Sequence, residues 1–441
     1  MVMNSEKFLP PHNWHNGEVR VSPIQTATFL ILAAALGLLA CGPGESTREG
    51  RQEGWVPGLE GAWSSPHPDA ADSLAIEGIG YGGGSEETNG ASGVRILMAD
   101  QVLAAPRLYT SGHGPEAILI SLSGRVLHRW HCDWRSLQDV PALDGPTQNT
   151  FRRALLLPQG DLLAIFGGRG LVRMDLEAKP RWIYTERAHH DLTLDEQGRL
   201  WTLIRKETIE PRLGHSSPIV DDFIVQVDLE SGRELHRVSV LEALLQSPAA
   251  KLVREARVNQ GDFLHTNTLE ILSSKKAALH PSWKPGQALI CLRELDALAV
   301  VDLEAERVVW HRARAGVAPH EPETTPAGTL LLFDNHGNQG ASVVREFTLP
   351  EFKQIWSHKG QPPDQFFSRF CGAAHRLSNG NTLIVESNRG LAFELDPDGN
   401  RVWEFANPER AGKGDRWIAA IFDLFPIPGK SPEADLSWLP E

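Results

Sequence analysis

The chain has 441 residues, 41% of them hydrophobic, enough to bury a large core. Its formal net charge is −13, which gives a nucleic-acid role no electrostatic support. Only 22% of residues are charged, whereas Gly 40 and Pro 30 point to many turns, and the 13 tryptophans prove to be periodic.

The first segment reads as a targeting signal. Arg20 precedes an apolar run, TATFLILAAALGLLA, from Thr26 to Ala40, followed by Cys41. The run is short for a membrane span and matches a signal-peptide core. LLAC (Leu38 to Cys41) resembles a bacterial lipobox, in which the cysteine is lipidated and becomes the mature N-terminus. Residues 1–40 are therefore expected as a lipoprotein-type signal peptide with cleavage before Cys41. The alternative is an ordinary signal peptide or an uncleaved anchor; the body is exported in each case. Gly42 rather than Asp follows the cysteine, so the expected location is the cell envelope, lipid-anchored in the outer membrane and facing the periplasm.

Residues 41–95 are rich in Gly, Ser and Glu and poor in periodic apolar positions, as in a flexible tether. A coil of that length has a root-mean-square span of about 40 Å. With Cys41 lipidated, Cys132, Cys291 and Cys371 remain, an odd number that allows at most one internal disulfide. No CxxC or Cys/His metal spacing is present.

From residue 115 a pattern recurs: a turn glycine, a short apolar strand, a second strand ending near an acid, and a strand ending in Trp. Residues 155–184 and 376–405 align almost element by element, with Asp175 seven before Trp182 and Asp396 seven before Trp403. Asp302 lies eight before Trp310, and Leu235 takes the tryptophan's place seven after Asp228. Trp130 and Trp356 close two more copies. Six copies end near 131, 184, 238, 311, 357 and 405. Repeated four-stranded units of about 40–55 residues indicate an all-β chain, a six-bladed β-propeller over residues 96–430. The shorter repeats of a β-solenoid fit less well. The segment 416–427, RWIAAIFDLFPI, is expected to supply a strand to the first blade and close the ring, leaving 431–441 as a C-terminal tail. The tryptophans are expected to pack between blades.

In a propeller, the innermost strand of each blade lines the central channel. His190 precedes Gly198 by eight residues, as His320 precedes Gly328. His190, His265 and His320 are expected to start the first strands of three consecutive blades and to converge at one mouth of the channel. A lone histidine would more often be a hydrogen-bonded structural residue; three at matching positions favour a site. His189 is expected on the opposite face from His190, because strand side chains alternate.

HHDLTLDEQGRLWTL (189–203), FLHTNTLEIL with GQALICLREL (263–272 and 286–295) and PHEPETTPAGTLLLFDNHGNQGASVVREFTL (319–349), in this order, resemble the bacterial arylsulfotransferases (aryl-sulfate sulfotransferases). LSNGNTLIVESNRGLAFELDPDGNRVWEF (377–405) is similar to their last blade. The resemblance spans roughly 105–425 and rests on the ordered set. It implies a six-bladed propeller that moves a sulfuryl group from a phenolic sulfate ester to a phenol, without the nucleotide donor PAPS, through a sulfated histidine. By motif, His320 matches the nucleophile, His190 a sulfate-binding histidine, His265 and Asn267 the H-x-N pair on the sulfate, and Arg293 an arginine ending the next strand. The family usually has small polar residues where this chain has Cys291 and Leu292. The insertion SSKKAALHPSWKPG (273–286) separates His265 from Arg293, and the N-terminal β-sandwich of some members is replaced by the tether.

A neutral imidazole nitrogen is a competent nucleophile toward sulfur, and cations and donors around the sulfuryl oxygens would stabilise their charge. This chemistry needs no metal and no cofactor. The expected partners are a small-molecule aryl sulfate and a phenol, with the membrane reached through the lipid anchor; nothing in the sequence fixes an oligomeric state. Three other readings compete: a noncatalytic exported scaffold or ligand-binding lipoprotein, a quinone-cofactor dehydrogenase, and a metal-dependent hydrolase or lyase using the three histidines.

Overall fold

The computed structural model describes residues 92–141, 149–214, 218–256, 261–412, 415, 417–427 and 436–438. Cys41, the apolar run before it and nearly all of the expected tether lie outside these residues. Among the described residues no helix is long and apolar enough to cross a membrane.

Six antiparallel sheets form the blades of a propeller. Blade 1 contains Arg107–Ser111, Glu116–Ile120 and Val126–His131, and its innermost strand is Ile421–Pro426. The innermost strands of blades 2 to 6 are Phe151–Leu156, Ala188–Leu194, Thr266–Ile271, Pro319–Thr324 and Ala373–Arg376. The expected closure therefore comes from the later part of 416–427. Trp417–Ile418 instead pairs with Arg410–Ala411 in a small separate sheet. Residues 93–95, assigned above to the tether, belong to the propeller. They start the strand Gly93–Leu97, which pairs with Arg401–Ala406 as a fifth, outer strand of blade 6.

Turn chemistry sets the hairpins that separate the first and second strands of each blade. Gly198 and Gly328 adopt φ of 73° and 82° and donate to the carbonyls of Asp195 and Thr325, both at 3.0 Å. A side chain would be strained in that left-handed region. The insertion at 206–222 extends blade 3, where Leu200–Thr208 and Ile219–Val227 pair to their ends. Much of the remaining length between His190 and His265 is taken by two short helices, Val240–Leu245 and Ala250–Arg254.

Burial follows the ring. One apolar cluster lies between each pair of neighbouring blades, including blades 6 and 1, where Trp403 and Phe405 meet Tyr109, Ile421 and Leu424. Burying these faces is the main favourable term in holding the blades together. Ring N–H groups on the fourth strands fasten four of the blades to the next. Trp182 donates to the Leu229 carbonyl at 2.9 Å, and Trp403 to that of Leu122 at 2.9 Å. Strand register corrects two expectations. His236, not Leu235, takes the tryptophan's place in blade 3, reaching the Leu303 carbonyl at 3.0 Å while Leu235 is exposed. His128 takes it in blade 1, reaching Leu176 at 2.9 Å. The same outer-strand bulge recurs in blades 2 and 6, so turn length decides: the turn from Asp228 to Arg233 is one residue longer than that from Asp175 to Lys179, whereas in blade 1 His128 stands seven after Ser121, as Trp182 does after Asp175. Trp130, two residues further, donates to Gly160 at 3.1 Å. The expected tail contributes too: Trp438 meets Trp130 edge-on, with ring centroids 5.8 Å apart.

Candidate active site

Irregular backbone marks the start of the innermost strands. Pairing skips a residue at Arg152 in blade 2, at Asn267 in blade 4 and at Phe422 in blade 1, and breaks after His189 in blade 3 and after His320 in blade 5. His190, His265, Ala318 and Glu321 have φ of 55°, 47°, 51° and 45°. Such left-handed residues other than glycine cost strain and tend to cluster at functional sites. The recurrent bulge turns side chains toward the channel mouth that a flat strand would point elsewhere.

The same register defines which residues share the mouth. The hairpin hydrogen bonds of Leu157, Asp195, Leu272, Thr325 and Leu377 are equivalent from blade to blade. Counting back from them places Arg152, His190, Asn267 and His320 at one level in four consecutive blades. His265 is thus two residues out of step with the other histidines, and its blade presents Asn267 at their level. The left-handed turn at His265 nevertheless swings its ring against His190, with centroids 4.7 Å apart and planes at 74°.

His320 is buried, and its Nδ1 lies 2.7 Å from Asn335 Oδ1 and 3.2 Å from the Ala318 carbonyl. Asn335 is oriented by its own amide, whose Nδ2 donates to the carbonyls of Ser368 and Cys371 at 2.8 and 2.6 Å. Both partners of His320 Nδ1 are thus acceptors. The ring proton sits on Nδ1, and Nε2 keeps its lone pair. Burial, then the charges of Arg293, His265 and Arg152, hold this imidazole well below the usual histidine range, so it is neutral.

His190 is also buried and held well below that range, by desolvation first and then by His265 and Arg152. Its Nδ1 lies 2.8 Å from Nδ1 of His189. His189 therefore does not face away from His190 as alternation predicts, because the bulge at His190 breaks the alternation. When His189 supplies the shared proton, Nε2 of His190 keeps its own hydrogen and can donate to an anion. Among the described residues that atom is buried with no hydrogen-bond partner. Asp222 Oδ1 approaches His189 Nε2 to 3.2 Å, without hydrogen-bond alignment.

His265 Nδ1 donates to Asp262 Oδ2 at 2.9 Å, and Arg205 reaches the same oxygen at 3.1 Å. Burial alone would raise the Asp262 carboxyl, but His265 and Arg205 hold it below the usual carboxylate range. Asn267 Nδ2 donates to the Pro319 carbonyl at 2.9 Å, tying it to the residue beside His320. Arg293 is buried, ion-paired with Glu294, and lies over the Phe370 ring at 6.0 Å. Its backbone N–H donates to the His265 carbonyl at 3.3 Å and its charge acts on His320, so it stands at this mouth despite the insertion, which folds around the short helix Ser274–Ala277 and Trp283.

The structure thus gathers His190, His265, Asn267, His320 and Arg293. Four neighbours escaped sequence reasoning: Arg152, His189, Asp262 and Asn335. Arg152 was legible, since it lies eight residues before Gly160 as His190 and His320 do before their glycines. Asn335 stands in the FDN strand that the resemblance singles out. Asp262 had no signal, because its role depends on the turn at His265.

One layer deeper the channel is closed by ions. Arg153 pairs with Asp191 at 3.2 Å and also with Glu321 and Asp423, joining blades 2, 3, 5 and 1. His375 bridges Glu323 at 2.7 Å and Asp423 at 3.2 Å. Cys132, Cys291 and Cys371 are free and buried. Among the described residues no group of three His, Cys, Asp or Glu side chains is arranged to hold a metal ion.

Solved structures with similar propellers include a protein of unknown function from Bacteroides caccae, at 12% identity and a TM-score of 0.45, covering 72% of this chain and 97% of that one. A catalytically inactive variant of virginiamycin B lyase from Staphylococcus aureus, with quinupristin, reaches 11% identity and 0.41, covering 75% and 90%. BamB from Moraxella catarrhalis reaches 12% and 0.33, covering 72% and 77%. Likenesses this low carry no functional argument. No curated protein matches the chain. The arylsulfotransferase (ASST) family model matches residues 167–408, from the middle of blade 2 to the end of blade 6 and more than half the chain. The protein belongs to the arylsulfotransferase family.

Proposed function

We propose that the chain transfers a sulfuryl group from a phenolic sulfate ester to a phenol, without PAPS, through a sulfated His320. The observation that carries this reading is the Asn335–His320 hydrogen bond, which leaves a neutral imidazole with its Nε2 lone pair available. In the first half-reaction Nε2 forms an N–S bond while the S–O(aryl) bond breaks, and its electron pair departs on the phenolate. The acceptor then loses its proton, its oxygen attacks sulfur, and the N–S bond returns its pair to His320. Charge is conserved in each step, and the net proton passes from acceptor to departing phenolate.

Negative charge on the sulfuryl oxygens would be met by Arg293, His190, His265 and Asn267, in the manner of an oxyanion site. Phe370 and Phe422, with Cys371 and Ala420, form an apolar group beside the two arginines of the mouth. It offers a face for the aryl ring. The test is steady-state kinetics with 4-nitrophenyl sulfate and a phenol, both concentrations varied. Parallel reciprocal plots support a ping-pong path; intersecting plots, or no turnover, would count against it.

We also infer that the mature chain starts at lipidated Cys41 and is held at the envelope, since acyl chains in pairs give stable anchoring. The lipobox-like LLAC supports this reading. A fatty-acid analogue should label the wild type and not Cys41→Ala, and equal labelling of both would end it.

A further inference from the structure

Arg152 is the one member of the mouth level with no role in the reading above. It is only 7% exposed, yet among the described residues it has no carboxylate partner. Its guanidinium lies 5.4 Å over the ring of Phe422, the residue at the same level in blade 1. A buried cation without a counter-ion is costly unless a ligand supplies the negative charge.

Its place in the ring specifies which atom that is. Blades 2 and 5 stand opposite each other in a ring of six. The next layer down shows the span directly: Arg153 of blade 2 is ion-paired with Glu321 of blade 5 across the channel. Arg152 and His320 are the residues just before these two, at one level of the mouth in opposite blades, and the charge of Arg152 acts on His320. Displacement at a tetrahedral centre carries attacking and leaving atoms roughly in line, as in phosphoryl transfer. With His320 Nε2 attacking from blade 5, the bridging oxygen of the ester points toward blade 2.

Building on the proposed sulfuryl transfer, we propose that Arg152 binds the phenolic oxygen itself: the leaving phenolate in the first half-reaction and the attacking phenolate in the second. As the S–O(aryl) bond breaks, its electron pair and charge localise on that oxygen beside the guanidinium, and the new N–S bond forms opposite. In the second half the same cation favours loss of the acceptor's proton to solvent or a neighbouring base, delivering the phenolate to sulfur. Phe422, stacked on the guanidinium, would hold the aryl ring of the same group.

The test compares the wild type and Arg152→Met over a series of aryl sulfates whose leaving phenols differ in acidity. For phenyl sulfate, a poor leaving group, kcat/KM should fall by about 10²–10³. For 4-nitrophenyl sulfate the fall should be below about tenfold, so that log kcat/KM depends more steeply on leaving-group pKa. Arg152→Lys should recover part of the difference. An equal loss across the series would overturn the assignment while leaving sulfuryl transfer intact. Absence of wild-type turnover would instead remove the reading on which it rests. A second measurement uses unaltered protein: an absorbance titration of bound 4-nitrophenol should show it held as phenolate below its free pKa. Binding as the neutral phenol would overturn the proposal even if Arg152→Met does not fold.

Discussion

Asn335 holds His320 in one tautomer: its Oδ1 lies 2.7 Å from Nδ1, and its Nδ2 is committed to two backbone carbonyls that prevent the amide from flipping. Removing such an orienting partner commonly costs about 10–100-fold where it supports a ligating histidine. Asn335→Ala should therefore lower kcat by that order with little change in KM. It should also lower stability by about 1–3 kcal/mol, because the two buried hydrogen bonds of the Asn335 amide to the Ser368 and Cys371 carbonyls are lost. Kinetics together with urea denaturation measure both; an active, equally stable variant would show that the hydrogen bond does not set the nucleophile.

The neutral state of His320 and His190 has a consequence for pH. Both are buried and lie well below the usual histidine value of about 6.5, so neither gains a proton as pH falls through that value. The first half-reaction should keep its rate from about pH 7.5 down to about 6, on either side of that value. A single-turnover rate that drops with an apparent pKa near 6.5 would place an ordinary histidine at the nucleophilic step.

His375 titrates the other way. Burial alone would lower it, but hydrogen bonds to Asp423 and Glu323 raise it to about 9, above its unfolded value of about 6.5. A raised folded pKa contributes stability that is complete below about 6.5 and lost as pH rises through about 9. Thermal stability should decline across that window, and the decline should flatten in His375→Gln. An unchanged slope in the variant would assign the loss to other groups.

Arg153 is the hub of the buried ions beneath the site. Arg153→Met leaves Asp191, Glu321 and Asp423 without their shared cation, and breaking a buried pair typically costs about 3–5 kcal/mol. Denaturant midpoints should shift accordingly. A variant within about 1 kcal/mol of the wild type would mean that the three carboxylates are neutral or find other cations.

The blades were legible because turn glycines and ring N–H residues recur at fixed spacing, and both features are local. His190 and His320 were legible for the same reason. Bulges and turn lengths were not: a turn one residue longer in blade 3 hid His236 behind Leu235, the bulge at His190 turned His189 toward it, and the left-handed turn at His265 brought in a ring two residues out of step with the other histidines. Asp262 and the Arg153 ion cluster depend on where strands from distant blades meet, and no short sequence window contains that information. Arg152 was visible at the histidine register, but only a search for any polar residue there, rather than for histidine, would have found it.

The central claim is that His320 carries the sulfuryl group between donor and acceptor. The most direct measurement is to incubate the protein with 4-nitrophenyl sulfate and no acceptor, quench, digest, and read sulfation by mass spectrometry under conditions that preserve the N–S bond. The account predicts one sulfated peptide containing His320, discharged by adding a phenol and absent from His320→Ala. Sulfate on another residue, or turnover with His320 unmodified and the His320→Ala variant still active, would contradict it.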